Sequence, residues 1–321
     1  MSKYRVVILD DRFGSYAEEE SVLSAIDASI DVCHFKNEED AIQGLRDADA
    51  VLVNLFTLTA TIIQGMERCK IISRYGVGYD NVDVEAATRA GIWVARVPDY
   101  GVEDVSDHAL ALLVGCIRRI GFKDSRIRRG DWDLHKEQPI HRIKGSSLGL
   151  IGFGLIGRAF RRKVSGFGLA RVLVFDPFVD ASVIRDAGAD PVELETLLNV
   201  SDYISIHAPL SEDTTHMIGA SQIALMKARA ILINTSRGSL VDEAALADAL
   251  ETQKIDYAGL DVFEQEPLPS NSRLRKLDNV IFTDHAGWYS EESMRELQSK
   301  TAMNAAKVLS GQRPPYPVNE V

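Results

Sequence analysis

The chain has 321 residues, of which 45% are hydrophobic and 26% charged, with a net charge of -11. That length exceeds one small core and fits two domains, while the acidic balance excludes general nucleic-acid binding, which needs a basic surface. The three cysteines, Cys33, Cys69 and Cys116, lack C-x-x-C spacing and read as buried thiols, so neither a disulfide framework nor a zinc site is expected.

The chain opens directly into a strand, YRVVILD, without the basic, apolar and small-residue succession of a secretory signal. No apolar run reaches the ~18 residues of a membrane span. A cytoplasmic protein with neither membrane nor nucleic-acid partners is the expectation. Strand-like and helical runs then alternate: helix from Ser15 to Ala28, IDVCHF, helix from Glu38 to Arg46, AVLVNL, helix from Thr59 to Arg68, KIISRYG, helix from Val84 to Ala90, and WVARV. This is an α/β layer with parallel strands and no glycine fingerprint. An almost wholly apolar helix from Asp104 to Ile120, acidic at its start and ending in arginines, suits a bridge between domains or a subunit interface. Arg128 to Gly145 is polar and mixed in charge, and reads as an irregular arm.

At Leu148 the pattern changes. LGLIGFGLIG runs from a buried strand into glycines 152, 154 and 157, then into a helical pattern, and RVLVFD follows as a second strand ending in Asp176. The glycines fit G-x-G-x-x-G: Gly152 for the turn, Gly154 for close approach to a pyrophosphate, Gly157 for packing helix on strand. Asp176 stands about 20 residues on, where a ribose-binding carboxylate is expected. Short apolar strands continue at YISIHAP, ILINTSRG, YAGLDVF and VIFTDHAG, and EESMRELQSKTAMNAAKVLS is a final helix, long enough to return to the first domain.

The fold class read from this pattern is α/β, with two Rossmann-like or flavodoxin-like doubly wound parallel sheets and the active cleft between them. The expected domains are a discontinuous substrate domain, 1–101 plus 291–321, and a dinucleotide-binding domain, 102–290.

Three polar residues lie just past strand ends in the second half, where ligands of open parallel sheets bind. Arg237 can offer its planar fork to a carboxylate. His285 can move a proton at neutral pH, with Glu266 as its partner. The remaining histidines, His34, His108, His135, His141, His207 and His216, read as core, arm or loop residues. No acid or histidine spacing suggests a metal, and G-x-S-x-G is absent. Hydride transfer is the chemistry that remains.

These blocks make the chain recognisable. RYGVGYDNVD (74–83), VPDYGVEDVSDHALAL (97–112), LGLIGFGLIG, HAPLSEDT (207–214), MKARAILINTSRGSLVDEAAL (226–246), LDVFEQEP (260–267) and DHAGWYSEES (284–293) resemble the D-isomer-specific 2-hydroxyacid dehydrogenase family over essentially the whole length. The resemblance implies Arg237, Glu266 and His285 as catalytic residues. Arg237 would bind and polarise the substrate, and Glu266 would hold His285 protonated for reduction. It implies Arg74, Gly76, Val77 and Gly78 as a substrate-side loop, and Trp288 is expected to close the pocket. Leu155 and Ile156 would cradle the pyrophosphate, with His207, Ala208, Pro209, Thr235, Ser236 and Asp261 around the rest of the cofactor. PFVD after Asp176 offers no cation for a 2'-phosphate, so NAD is expected. A homodimer built from residues 104–145 is also implied.

The chain departs from the family pattern at Asp284 (usually proline), Ala228 and Arg229 (usually Pro-Gly), and Arg96 (usually asparagine). HAGWYSEES most resembles the branch of the C-terminal-binding proteins. That branch supplies a second class, an NAD(H)-sensing dimeric interaction scaffold with little turnover; the intact triad favours the enzyme.

Overall fold

The computed structural model describes residues 2–9, 13–134 and 138–321, so His135 lies outside the described residues. The chain divides into two compact units, residues 1–101 with 290–321, and residues 102–289.

The first unit alternates β1 (Tyr4–Leu9), α1 (Ala17–Leu23), β2 (Ala28–Cys33), α2 (Glu38–Leu45), β3 (Ala50–Val53), α3 (Ala60–Gln64), β4 (Ile71–Arg74), α4 (Val84–Arg89) and β5 (Trp93–Ala95). The strands form one parallel sheet in the order β2-β1-β3-β4-β5. Every residue of AVLV and IISR is buried, as expected for central strands covered on both faces. Side-chain caps start α2, α3 and α4: Asn37, Thr59 and Asp83 accept from the backbone N–H groups of Asp40, Ile62 and Ala86, satisfying donors that the first turn leaves open. The C-terminal helix Glu291–Leu309, capped by Ser290, belongs to this unit.

The second unit begins with α5 (Val102–Arg118) and α6 (Ile120–Arg128). Sequence periodicity ends the first helix near Ile120 and leaves no second one. In the structure Arg119 adopts a left-handed conformation, φ 57°, and a new helix starts beyond it. Long-range side-chain contacts support that backbone. Arg119 is 2% exposed, stacks 4.5 Å from the Tyr257 ring and pairs with Asp256 at 2.5 Å. The buried face of α5, with Ala109, Leu112, Leu113, Cys116 and Ile117, packs on the sheet of its own unit. Its Leu112 and Cys116 come so close to Gly259 that a Cβ there would lie 3.1 Å from each, so helix and sheet meet where the side chain is missing.

The unit continues with β6 (Ser147–Ile151), α7 (Leu155–Lys163), β7 (Arg171–Phe175), α8 (Ala181–Asp186), β8 (Asp190–Pro191), α9 (Leu194–Val200), β9 (Tyr203–Ile206), α10 (Ala220–Leu225), β10 (Ile231–Asn234), α11 (Glu243–Glu251), β11 (Tyr257–Leu260) and β12 (Val280–Phe282). Its seven parallel strands run β12-β11-β10-β9-β6-β7-β8. The order reverses between β6 and β9, and a crevice at such a switch point is where an open α/β sheet takes its ligand.

Cys69 and Cys116 are buried while Cys33 is half-buried, and all three are free thiols. Burial pushes the Cys69 thiol up to about 12. Among the described residues no helix is long and apolar enough to cross a membrane.

Candidate active site

The glycine loop follows β6 at the switch point. Gly152 has φ +92°, and a Cβ there would lie 2.6 Å from the His207 carbonyl carbon. At Gly157 it would lie 2.6 Å from the Gly152 oxygen. Both are therefore fixed by packing inside the unit. At Gly154 a Cβ would meet nothing within 4 Å, so this glycine leaves backbone open. It is also the N-cap of α7, with no side-chain cap. Leu155, Ile156 and Gly157 thus form a first turn whose N–H groups and positive dipole end favour an anion.

Around that turn stand the other residues expected to hold a dinucleotide. The Asp176 carboxylate, at the end of β7, accepts from the Phe153 N–H at 2.7 Å and the Phe178 N–H at 2.9 Å. Across the switch point, His207 follows β9, with Nε2 3.0 Å from Ser205 Oγ and Nδ1 buried without a partner. Its residue surface is half-buried, but its nitrogens are sealed, and burial brings its pKa down to about 4. Ala208 and Pro209 continue the same turn. After β10, Thr235 Oγ1 is buried without a partner, whereas Ser236 Oγ donates to the Ile206 carbonyl at 2.9 Å. Two orphaned polar atoms, an open glycine and an uncapped helix start fit a polyphosphate-linked ligand, since buried polar groups ordinarily find partners.

The catalytic candidates come together at the ends of β10, β11 and β12. His285 Nδ1 lies 2.7 Å from Glu266 Oε2. Burial alone would raise the Glu266 carboxyl. The His285 contact, the Phe263 N–H donating at 3.0 Å and the Arg237 charge outweigh it and hold the carboxyl below its usual range. Arg237 is half-buried and extended, with Nη1 donating to the Ser236 carbonyl at 2.9 Å. Asn234 Nδ2 donates to the Arg237 carbonyl at 2.8 Å.

His285 has φ 56°, sparsely populated for a residue with a side chain. Asp261 holds it there. The Asp261 carbonyl accepts from the His285 N–H, and the carboxylate accepts from Thr283 Oγ1 at 2.6 Å and from the Ala286 and Gly287 N–H groups at 3.0 and 2.9 Å. Asp261 is thus already engaged in shaping the histidine turn. His108 of α5 completes it, with Nε2 2.8 Å from Thr283 Oγ1 and 3.4 Å from Asp261 Oδ1. Sequence reading alone leaves His108 among the bland histidines. The signal available is its place in SDHALAL, one polar ring on the apolar face of a helix.

Asp284, the departure beside His285, is exposed. Trp288 packs edge-on against Tyr289, ring centroids 5.8 Å apart. Arg74, Gly76, Val77 and Gly78 lie in the first unit, at the end of β4 and just beyond it. Arg74 is 7% exposed, Gly76 has φ +137°, and the Gly76 carbonyl accepts from the Val97 N–H at 2.9 Å. Arg96 follows β5, with Nη1 3.4 Å from the Val77 carbonyl and the guanidinium over the Tyr79 ring.

A cavity of about 60 Å³ opens near the strand starts of the second unit, between Arg119, His141, Asp202, Tyr203, Arg229 and Asp256. Its Asp202 pairs with Lys227 and its Asp256 with Arg119. It holds none of the catalytic candidates. No group of three or more histidine, cysteine or acidic side chains among the described residues could hold a metal.

A doubly wound sheet with a dinucleotide cradle and a histidine–carboxylate pair defines an oxidoreductase class. Comparison with known proteins places the chain within it. The D-isomer specific 2-hydroxyacid dehydrogenase, NAD binding domain, matches residues 110–287. A glyoxylate reductase of Korarchaeum cryptofilum is 40% identical over 284 residues, covering 87% of this chain and 85% of that protein. The TT0316 protein of Thermus thermophilus superposes with a TM-score of 0.89 at 30% identity, over 98% of this chain and 100% of the other. D-Lactate dehydrogenase of Aquifex aeolicus, solved with NAD and lactic acid, gives 0.86 at 28% identity, over 95% and 96%. The chain belongs to the D-isomer specific 2-hydroxyacid dehydrogenase family, and its cofactor is of the nicotinamide dinucleotide type.

Proposed function

We propose that the protein interconverts a D-2-hydroxy acid and its 2-oxo acid, with Arg237, Glu266 and His285 as the catalytic residues. The observation that carries this reading is the 2.7 Å contact of His285 Nδ1 with Glu266 Oε2, beside the Arg237 charge that acts on the same carboxylate. NADH, when bound, supplies the hydride to C2 of the oxo acid. His285, with Nδ1 taken by Glu266, gives the proton on Nε2 to the C2 oxygen, and takes it back in the oxidative direction. Arg237 binds the carboxylate through its planar fork and polarises the carbonyl beside it.

The cofactor residues are Gly152, Gly154, Leu155, Ile156, Gly157, Asp176, His207, Ala208, Pro209, Thr235, Ser236 and Asp261. NAD is preferred over NADP because the Asp176 carboxylate would repel a 2'-phosphate and residues 177–180 bring no cation. The backbone loop of Arg74, Gly76, Val77 and Gly78 binds the substrate carboxylate, and Trp288 bounds the side-chain pocket. The exposed apolar residues Ile120, Ile127, Trp132 and Leu134 support a homodimer formed through this region.

The test is a panel of 2-oxo acids, small, bulky and dianionic, with NADH and NADPH side by side. Turnover with one class, lost in Arg237→Ala and His285→Gln while NADH binding persists, supports the reading. NADH binding without turnover across the panel overturns it.

A further inference from the structure

Glu19 is a carboxyl with 0% exposure, carried on α1 and unused by the chemistry above. No described arginine or lysine pairs with it. Its Oε1 accepts from the Tyr75 hydroxyl at 2.8 Å, and its Oε2 from Gln298 Nε2 at 3.0 Å. Gln298, 3% exposed in the C-terminal helix, also donates to the Ser15 carbonyl at 2.7 Å. Burial lifts the Glu19 carboxyl above its usual range even though these donors pull it down. Sealing an acid among neutral donors is costly, and an apolar side chain would pack α1 without that cost. The question is what the acid does there.

Tyr75 answers it. This residue leads from β4 into the substrate-side loop. It is 1% exposed, its ring lies 4.9 Å from that of Phe13, and its N–H donates to the Val53 carbonyl at 2.8 Å. A buried tyrosine hydroxyl needs a partner, and Glu19 accepts from it. Immediately afterwards the chain turns through Gly76 at φ +137°, where the Val97 N–H clasps the Gly76 carbonyl. One end of the loop is therefore pinned by a side chain reaching Glu19, and the next residue by a backbone bond.

We propose that Glu19 is a positioning residue for the substrate loop: through the Tyr75 hydroxyl it fixes the backbone from which Val77 and Gly78 offer their N–H groups to the carboxylate of the 2-oxo acid. The inference rests on the reading above that this loop binds that carboxylate. Glu19 touches neither substrate nor cofactor. Its effect is on where the donors stand.

The experiment is steady-state reduction by the full chain with Tyr75→Phe, which removes one oxygen, and Glu19→Ala, which removes the acceptor. Each is expected to raise KM for the 2-oxo acid about five- to tenfold, the reach of one buried hydrogen bond. Values of kcat and NADH affinity should stay within about twofold of the parent. The double variant should be no worse than Glu19→Ala alone, because Glu19→Ala already breaks the bond that Tyr75→Phe removes. Glu19→Gln retains an oxygen for Tyr75 and should restore most of the affinity. A lower melting temperature with unchanged KM in the folded variants, or additive losses in the double variant, overturns the proposal. Gly76→Ala reshapes the loop directly. If it too leaves KM unchanged, the loop's substrate role itself has failed, whereas raised KM in Gly76→Ala with normal KM in Tyr75→Phe refutes the part given to Glu19 alone.

Discussion

Gly238 and Phe263 approach so closely that a Cβ on Gly238 would lie 1.8 Å from the Phe263 carbonyl carbon. That contact joins the turn carrying Arg237 to the turn carrying Glu266, and allows the guanidinium to act on the carboxylate. Gly238→Ala must move one turn off the other. We expect kcat/KM to fall at least about 100-fold, as misplacement by about an ångström does. Stability should drop by about 1–3 kcal/mol, the usual cost of overpacking. Activity assays paired with thermal melts separate the two, and wild-type kcat/KM in Gly238→Ala would break the link.

Thr235 Oγ1 is sealed from water without a partner, a cost of about 1–3 kcal/mol to the ligand-free protein. Thr235→Val keeps the shape and removes the cost. The ligand-free melting temperature should stay level or rise while NADH binding weakens several-fold, measured by fluorescence titration. Equal NADH affinity would mean that the hydroxyl meets something other than the cofactor.

His207 is held neutral, with burial lowering its pKa from 6.5 to about 4. A folded pKa below the unfolded one means that the unfolded chain takes up the proton first. The contribution is fully present above about pH 6.5 and is lost as pH falls through 4, amounting to about 3 kcal/mol at most. His207→Gln should therefore flatten the loss of ligand-free stability between pH 6.5 and 4. Parallel melting curves for parent and variant across that range would show that this ring is not the source.

Much of this was legible in the sequence, for reasons that differ by residue. The glycine loop is readable because Gly152 and Gly157 answer to backbone contacts that no side chain tolerates, and such demands leave glycine at fixed spacing. Strand ends are readable because apolar runs stop abruptly, which locates Arg237, Glu266 and His285 before any geometry. What composition hides is long-range partnership. Arg119 breaks a helix because Tyr257 and Asp256, over 130 residues away, hold it. His108 looks like any helical histidine until Thr283 and Asp261 come beside it. The Glu19 carboxyl has no local sign of burial at all, since its partners are Tyr75 and Gln298.

Glu266 has a depressed carboxyl, so its stabilising contribution is present above its unfolded value of about 4.3 and is lost as pH falls through the folded one. Glu266→Gln should be less stable than the parent at pH 7, and the gap should close on acidification. Denaturant midpoints at pH 7 and pH 3.5 check this; a gap that persists at the lower pH would assign the effect to packing. Activity in the variant should fall even where the protein remains folded, because the amide that replaces the carboxylate beside His285 Nδ1 carries no charge to hold the imidazolium.

Ile120 and Ile127 stand seven residues apart on α6, on the same face, 57% and 50% exposed. Two helical turns of i, i+7 spacing put both side chains on one stripe, and Trp132 at 89% and Leu134 at 73% extend the apolar surface beyond the helix. Apolar side chains left exposed on one helix stripe suit an interaction surface, and the homodimer is the partner proposed for it. Ile120→Glu with Ile127→Glu places two like charges on that stripe without touching any buried residue of the second unit. Sedimentation should show the mass halving, with far-UV circular dichroism unchanged. A parent that already sediments as a monomer, or a dimer that survives both charges, would put the subunit contact elsewhere.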